Sequence, residues 1–188
     1  MFRIVIGLLI SFTFLTSCKE NTSKDERKVF RFNLSSGVSS LDPAFSKDQA
    51  TMWMCNQLYN GLLQLDDSLN VIPSIAKDYE VKENGLTYVF HLRNDVFFQN
   101  HSLFKDGKGR RVVAEDFVYS FNRIIDETVA STGAWLFNGK VRDVTPFEAL
   151  DDSTFVIHLK FPFRPMASLL TLQYCSVVPS EIVDYYGK

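Results

Sequence analysis

Residues 87–93 read Thr-Tyr-Val-Phe-His-Leu-Arg, and residues 154–160 repeat the pattern as Thr-Phe-Val-Ile-His-Leu-Lys. In each, a bulky apolar residue alternates with a smaller or polar one. That period of two predicts a half-buried β-strand rather than a helix. Tyr88, Phe90 and Leu92 face one way, as do Phe155, Ile157 and Leu159, while His91 and His158 fall on the opposite, outer face. The likeness of the two strands is weak evidence for a repeat, because all strands with a polar outer face look alike. Between them, Ala114 to Asp126 places Phe117, Val118, Phe121, Ile124 and Ile125 on one side at helical spacing. Glu115 and Asp116 lie at its start, where the helix dipole favours negative charge. Strands and a helix of this kind define an α/β unit.

Working outward, Tyr79-Glu80-Val81 and the turn signal Glu83-Asn84-Gly85 lead into the first of these strands as a hairpin. Val71 to Ala76 reads as a short extended link. Lys47 to Asn60 carries Met52, Cys55 and Tyr59 at three-to-four spacing, followed by Gly61, which predicts a helix with a glycine stop. Leu41-Asp42-Pro43 is a turn signal ahead of it. Val29 to Leu34 alternates again and predicts a strand ended by Ser35-Ser36-Gly37.

The first 18 residues, MFRIVIGLLISFTFLTSC, carry one basic residue, an apolar run from Ile4 to Leu15, and small polar residues up to a cysteine. This is a signal-peptide pattern. Leu15-Thr16-Ser17-Cys18 resembles a lipobox, so residues 1–17 are expected to be removed and Cys18 to be acylated. Twelve residues rise about 18 Å as a helix, short of the roughly 30 Å needed to span a bilayer. Residues 18–28 are charged and polar and are expected to act as a tether between the membrane and the folded part. The expected location is the cell envelope, lipid-anchored and facing the periplasm or exterior.

A net charge of −2 with mixed signs provides no footprint for nucleic acid. Outside the cytoplasm, Cys55 and Cys175 could form a disulfide, although both lie in apolar runs that favour buried free thiols. His91, His101 and His158 have no metal-ligand spacing, and neither a metal nor a cofactor is expected. Glu115-Asp116 as a catalytic dyad lacks a nucleophile or oxyanion donors nearby. No Ser/His/Asp set appears at recognisable spacing either, so an enzyme is not expected.

Several segments, taken in order, resemble one family. They are Ser40-Leu41-Asp42-Pro43, Gln57 to Leu63, Val71 to Ala76, Thr87 to Arg93, Val113 to Ser120, Asp152 to Leu159 and Val178-Pro179-Ser180-Glu181 with Tyr186-Gly187. The chain is similar over Val29 to Lys188 to the family 5 extracytoplasmic solute-binding proteins, the oligopeptide- and dipeptide-binding lipoproteins of ABC importers. The resemblance implies a two-lobed α/β fold of the periplasmic-binding-protein type II kind. Residues 29–188 would supply only its N-terminal portion, with the second lobe and the returning hinge strands missing. Such a portion is expected to fold poorly alone and not to bind peptide.

By the same resemblance, the ligand is an extended oligopeptide or dipeptide, the partners are the permease and ATPase subunits of an importer, and the protein is a monomer. Backbone groups of Lys47, Asp48 and Gln49 would pair with the ligand as an added strand. Asn56 falls where an oligopeptide binder has an arginine that meets a peptide carboxylate, a charge that asparagine does not carry. A cleft tyrosine falls at Gly133, with Trp135 two positions on as a candidate to fill its space. Read without the resemblance, Trp53, Trp135 and the phenylalanines fit a core, and Lys47 and Asp48 equally fit a solvated helix start. Two other functions share the envelope location: a chaperone-like or sensory lipoprotein without a transporter, and a cell-envelope hydrolase.

Overall fold

The computed structural model describes residues 31–34 and 36–187. The segments expected to be a signal peptide and a tether, with Cys18, Val29 and Phe30, lie outside the described residues. Residues 31–34 join no ladder, so the described part of the strand expected over Val29 to Leu34 is not one. An alternating pattern becomes a strand only where a partner supplies hydrogen bonds, and no described strand pairs with it. The described residues from Leu34 onward form the compact unit described below.

Helix α1 spans Gln49–Leu58, two residues shorter at each end than the sequence predicts. Asp48 is its N-cap: the carboxylate accepts from Thr51 N–H at 2.9 Å while its own backbone is extended. Tyr59 leaves the helix in an extended conformation (φ −129°, ψ 156°), so Gly61 is not the stop. Gly61 instead bridges to Ser176, and an added Cβ would lie 3.0 Å from the Cys175 carbonyl oxygen. Close backbone approach is what requires glycine there.

Strands β1 (Leu63–Leu65) and β2 (Val71–Pro73) form a small antiparallel hairpin, where the sequence reading has only an extended link. Its turn is organised by Asp66, whose carboxylate accepts from the Ser68 and Asn70 amides at 2.9 and 2.8 Å. These hydrogen bonds hold the Asp66 carboxyl below its usual range, the Asn70 amide contributing most.

Strands β3 (Ala76–Lys82) and β4 (Thr87–Leu92) form the expected hairpin around Glu83–Gly85. Helix α2 runs Ala114–Ile125. Strands β5 (Phe147–Asp151) and β6 (Thr154–His158) complete a four-stranded antiparallel sheet in the order β3-β4-β6-β5. The two rhyming strands are therefore its central neighbours, with Phe90 opposite Phe155 and Tyr88 opposite Ile157. Short helices α3 (Met166–Leu169) and α4 (Ser180–Tyr186) follow.

The inner face of the sheet carries Phe90, Phe155 and Ile157, all fully buried, and α2 lays Phe117, Phe121 and Ile124 onto it. Phe121 packs against Phe117, Phe137, Phe147 and Phe155 with ring centroids 5.2–5.9 Å apart. Burying each such ring stabilises the fold by about 1.5–3 kcal/mol. On the outer face, His91 lies 3.9 Å from Asp78 and 4.0 Å from Glu80, while His158 lies 3.0 Å from Glu148. The histidines are thus outer-face residues that meet carboxylates of neighbouring strands.

Arg110 ties α4 to α2. Its guanidinium donates to both carboxylate oxygens of Asp116 (2.6 and 2.8 Å) and to Glu181, and it sits over the Phe98 ring at 5.1 Å. Asp116 also accepts from the Val113 amide at 2.9 Å, so the acidic start of α2 combines helix capping with an ion pair.

Candidate functional site

Of the candidate residues, Lys47, Asp48 and Gln49 lie at the start of α1, Asn56 lies near its end and Trp135 lies on a separate 3-10 turn. Asp42 caps a 3-10 turn over Pro43–Phe45, accepting from the Ala44 amide at 3.0 Å. Ser46 is buried, and the chain then emerges at Lys47, exposed, before Asp48 caps the helix. Ser39 hydroxyl donates to Asp48 at 2.8 Å. The Thr51 amide first, and then the Ser39 hydroxyl, hold the Asp48 carboxyl below its usual range. The carboxylate is thus committed to ordering the segment. Gln49 is exposed and is the first helical residue. Its amide is one of the leading N–H groups that a helix leaves without an internal acceptor.

Asn56 lies on the exposed side of α1 and accepts from the Gln173 side-chain amide at 3.3 Å. Gln173 begins a 3-10 turn, Gln173–Cys175, that packs against both α1 and the Pro43–Phe45 turn. Next to it, Gly133 supports the Tyr174 ring so closely that an added Cβ would lie 2.6 Å from Cδ1. Tyr174 is therefore the aromatic that occupies the space over Gly133. Trp135 instead points out of a 3-10 turn, 52% exposed, with its carbonyl accepting from Lys140 at 2.7 Å. Trp53 is also 43% exposed, which corrects its reading as core: its place on α1 lies off the side that buries Ala50, Thr51 and Cys55.

The structure thus gathers residues 42–49, Asn56, 131–135 and 173–174 around one 3-10 turn. The hydrogen-bonded partner Gln173 and the packed Tyr174 were not singled out by the sequence. Their only signal is the apolar run before Val177-Val178-Pro179. Cys55 and Cys175 are both buried free thiols, and burial raises the pKa of each. A separate cavity of about 320 Å³ is lined by Tyr59, Phe97, Phe98, Val177, Pro179 and Ile182 among others, and contains none of the candidate residues. Among the described residues, no group of three or more His, Cys, Asp or Glu is placed to hold a metal, and no helix is long and apolar enough to cross a membrane.

Residues 70–187 match the model of the bacterial extracellular solute-binding proteins, family 5 middle. The chain belongs to family 5. A dipeptide-binding protein of Lactococcus lactis subsp. cremoris is 29% identical over 98% of this chain and 34% of its own length. The peptide transport periplasmic protein SapA of Salmonella typhimurium is 30% identical over 95% of this chain and 34% of its own. Among solved structures, the periplasmic binding protein DppA of Helicobacter pylori, in complex with the peptide STSA, superposes with a TM-score of 0.67 at 28% identity. It covers 79% of this chain and 30% of that one. The chain therefore spans about a third of the length of the family 5 relatives it matches. The mixed α/β unit is part of the family's two-lobed fold.

Proposed function

We propose that this protein is the lipid-anchored substrate-binding component of an ABC importer, that its ligand is an extended peptide, and that it delivers that peptide to the permease. The observation that carries the reading is the family 5 match over residues 70–187, together with relatives that are named for dipeptide binding and peptide transport. Cys18 supplies the anchor, and residues 18–28 the tether.

Within this reading, the ligand's backbone pairs with the segment Lys47, Asp48, Gln49, while Asn56 and Trp135 flank it. Three features support that role. Asp48 is extended, Lys47 and Gln49 are exposed, and the Gln49 amide has no acceptor within the helix. Recognition through backbone groups tolerates many side chains, as an importer of mixed peptides requires. Gln49 contributes only its N–H to this pairing, because from that residue onward the backbone is helical.

The test uses the product of the complete gene, titrated calorimetrically with STSA and with a pooled library of random tripeptides to nonapeptides. Gln49→Pro removes the single amide donor at a position where the backbone tolerates proline: the residue is the first of a helix, and the preceding Asp48 is extended. The variant should fold and lose about 0.5–1.5 kcal/mol of affinity, the net worth of one hydrogen bond. A folded Gln49→Pro protein with unchanged affinity rules out this segment as the pairing edge. Absence of any peptide binding by the wild type rules out the reading.

A further inference from the structure

The candidate pairing segment contains little local structure of its own. Between Ser46 and Gln49 every backbone bond reaches into an adjoining flank: Ser46 N–H to the Pro43 carbonyl at 3.1 Å, Lys47 N–H to the Phe45 carbonyl at 2.8 Å, and the Asp48 carbonyl accepting from Met52 N–H at 2.9 Å. Its position is therefore set by whatever holds the two flanks. The C-terminal flank is held by α1 itself, through the cap that Asp48 forms with Thr51 and Ser39.

The N-terminal flank is held from far away in sequence. Arg123, on α2, donates to both oxygens of Asp42, at 2.6 and 3.3 Å, across 81 residues. The pair is largely withdrawn from water, with 10% of the Arg123 side chain and 16% of the Asp42 side chain exposed. Asp42 uses the same carboxylate to cap the Pro43–Phe45 turn. One step along, the Ser131 hydroxyl donates to the Ala44 carbonyl at 2.6 Å across 87 residues, and itself accepts from the Gly133 amide at 3.1 Å. Ala44 and Ser131 are both buried.

None of Asp42, Ala44, Arg123 and Ser131 belongs to the apolar cluster that closes the sheet. The inner face of α2 serves that cluster through Phe117, Phe121 and Ile124. Arg123 sits between Phe121 and Ile124 in sequence but is turned to the loop. A pair of long-range polar clamps on the three-residue stretch Asp42–Ala44, outside the apolar cluster, fixes orientation more than it adds buried apolar area. A bidentate arginine is suited to that because its planar fork fixes the angle as well as the distance of the carboxylate.

We propose that Arg123 and Ser131 are positioning residues for ligand recognition: they fix the turn at Asp42–Ala44, and through it the angle at which Lys47, Asp48 and Gln49 present their backbone groups. This rests on the reading of that segment as the pairing edge. Backbone pairing needs donors and acceptors held to within about 0.5 Å and 10–20°. With the N-terminal flank released, the segment pivots on the α1 cap and the pairing geometry is lost, while the sheet and α2 remain.

The experiment compares peptide affinity with melting temperature in the product of the complete gene, using the pooled library of random tripeptides to nonapeptides. Variants are Arg123→Gln, Arg123→Lys, Ser131→Ala, Gln49→Pro and, as a control in the sheet, Ile157→Val. Ile157 is fully buried on the inner face, remote in sequence from the segment, so its loss of a methyl group lowers stability without touching the clamps. Arg123→Gln should weaken binding about tenfold and Ser131→Ala about threefold, each on the scale of a lost hydrogen bond. Arg123→Lys should fall between Arg123→Gln and wild type, since charge is kept and the fork is lost. Ile157→Val should lower the melting temperature and leave affinity within twofold.

Weakened binding in Gln49→Pro but not in Arg123→Gln or Ser131→Ala overturns the positioning role and leaves the pairing edge standing. Unchanged binding in Gln49→Pro overturns the edge itself. An equal affinity loss in Ile157→Val shows that stability alone is being read, and overturns the inference. If Arg123→Gln does not fold, the decision passes to Ser131→Ala, which removes one hydroxyl and keeps the ion pair.

Discussion

Replacing Arg110 with Met should be among the most damaging single changes outside the phenylalanine core. The substitution keeps an apolar stem against the Phe98 ring and removes the charge. Asp116 is then left 4% exposed with only the Val113 amide as a partner. Breaking a buried ion pair from one side costs about 3–5 kcal/mol. The Arg110 side chain is 35% exposed, so water enters where its guanidinium was, and the figure falls to about 2–3 kcal/mol. Loss of the cation–π contact adds about 0.5–1 kcal/mol. For a domain of this size, a total near 3 kcal/mol lowers the melting temperature by about 6–12 °C. Glu181→Gln, at a partner about one-third exposed, should cost less than 1 kcal/mol. Thermal melts of both single variants and the double variant separate the two partners. A pH series adds an independent check. Arg110 is the main cause that holds the Glu181 carboxyl below its usual range. A carboxyl with a lowered folded pKa binds fewer protons in the folded state than in the unfolded one. Its stabilisation is thus full above the unfolded pKa and disappears as pH falls through the lower folded value. In Arg110→Met that acid-side loss should shrink. A variant that melts within 2 °C of wild type at pH 7, with the same acid profile, refutes the argument.

Gly133→Ala should destabilise by about 1–3 kcal/mol, because its Cβ meets the Tyr174 ring at 2.6 Å; an unchanged urea midpoint would mean that the ring does not pack there. With Cys18→Ser, Cys55 and Cys175 should react with a thiol reagent only at the rate of unfolding, since burial raises both thiols; prompt labelling of the native protein contradicts this. Cys18→Ser should also move the protein from the detergent to the aqueous phase on partitioning, as two acyl signals suffice for stable anchoring. Equal partitioning with wild type places the anchor elsewhere.

What the sequence made legible is what depends on local period. Strands β4 and β6 and the inner face of α2 follow directly from alternation and three-to-four spacing, because each buries one side against the same core. Strand β5 escaped: Phe147-Glu148-Ala149-Leu150-Asp151 has one large inward residue and reads weakly until β6 pairs with it. The β1–β2 hairpin escaped because its strands are three residues long and its turn depends on Asp66. Gly61 reads as a helix stop and Gly133 as a departure from the family's cleft tyrosine, yet both answer close approaches to residues more than forty positions away. The same holds at the candidate site. The helix start at Asp48 and Gln49 is local, its cap bond reaching only to Thr51, but that Asn56 bonds Gln173 and that Tyr174 covers Gly133 are facts of packing across the chain. No periodicity contains them.

The bond between Asn56 and Gln173 spans 117 residues, and the turn that holds Gln173 is also what α1 packs against. On the ribosome this distance is a delay. At about 5–20 residues per second, α1 waits about 6–23 s between its own synthesis and that of its partner. The β3–β4 hairpin needs no such wait and closes within about 1–10 μs of being made. Early in synthesis the chain is therefore a folded ribbon joined to an unhoused helix, and docking of α1 is a late event. A chain in that state is still able to be threaded.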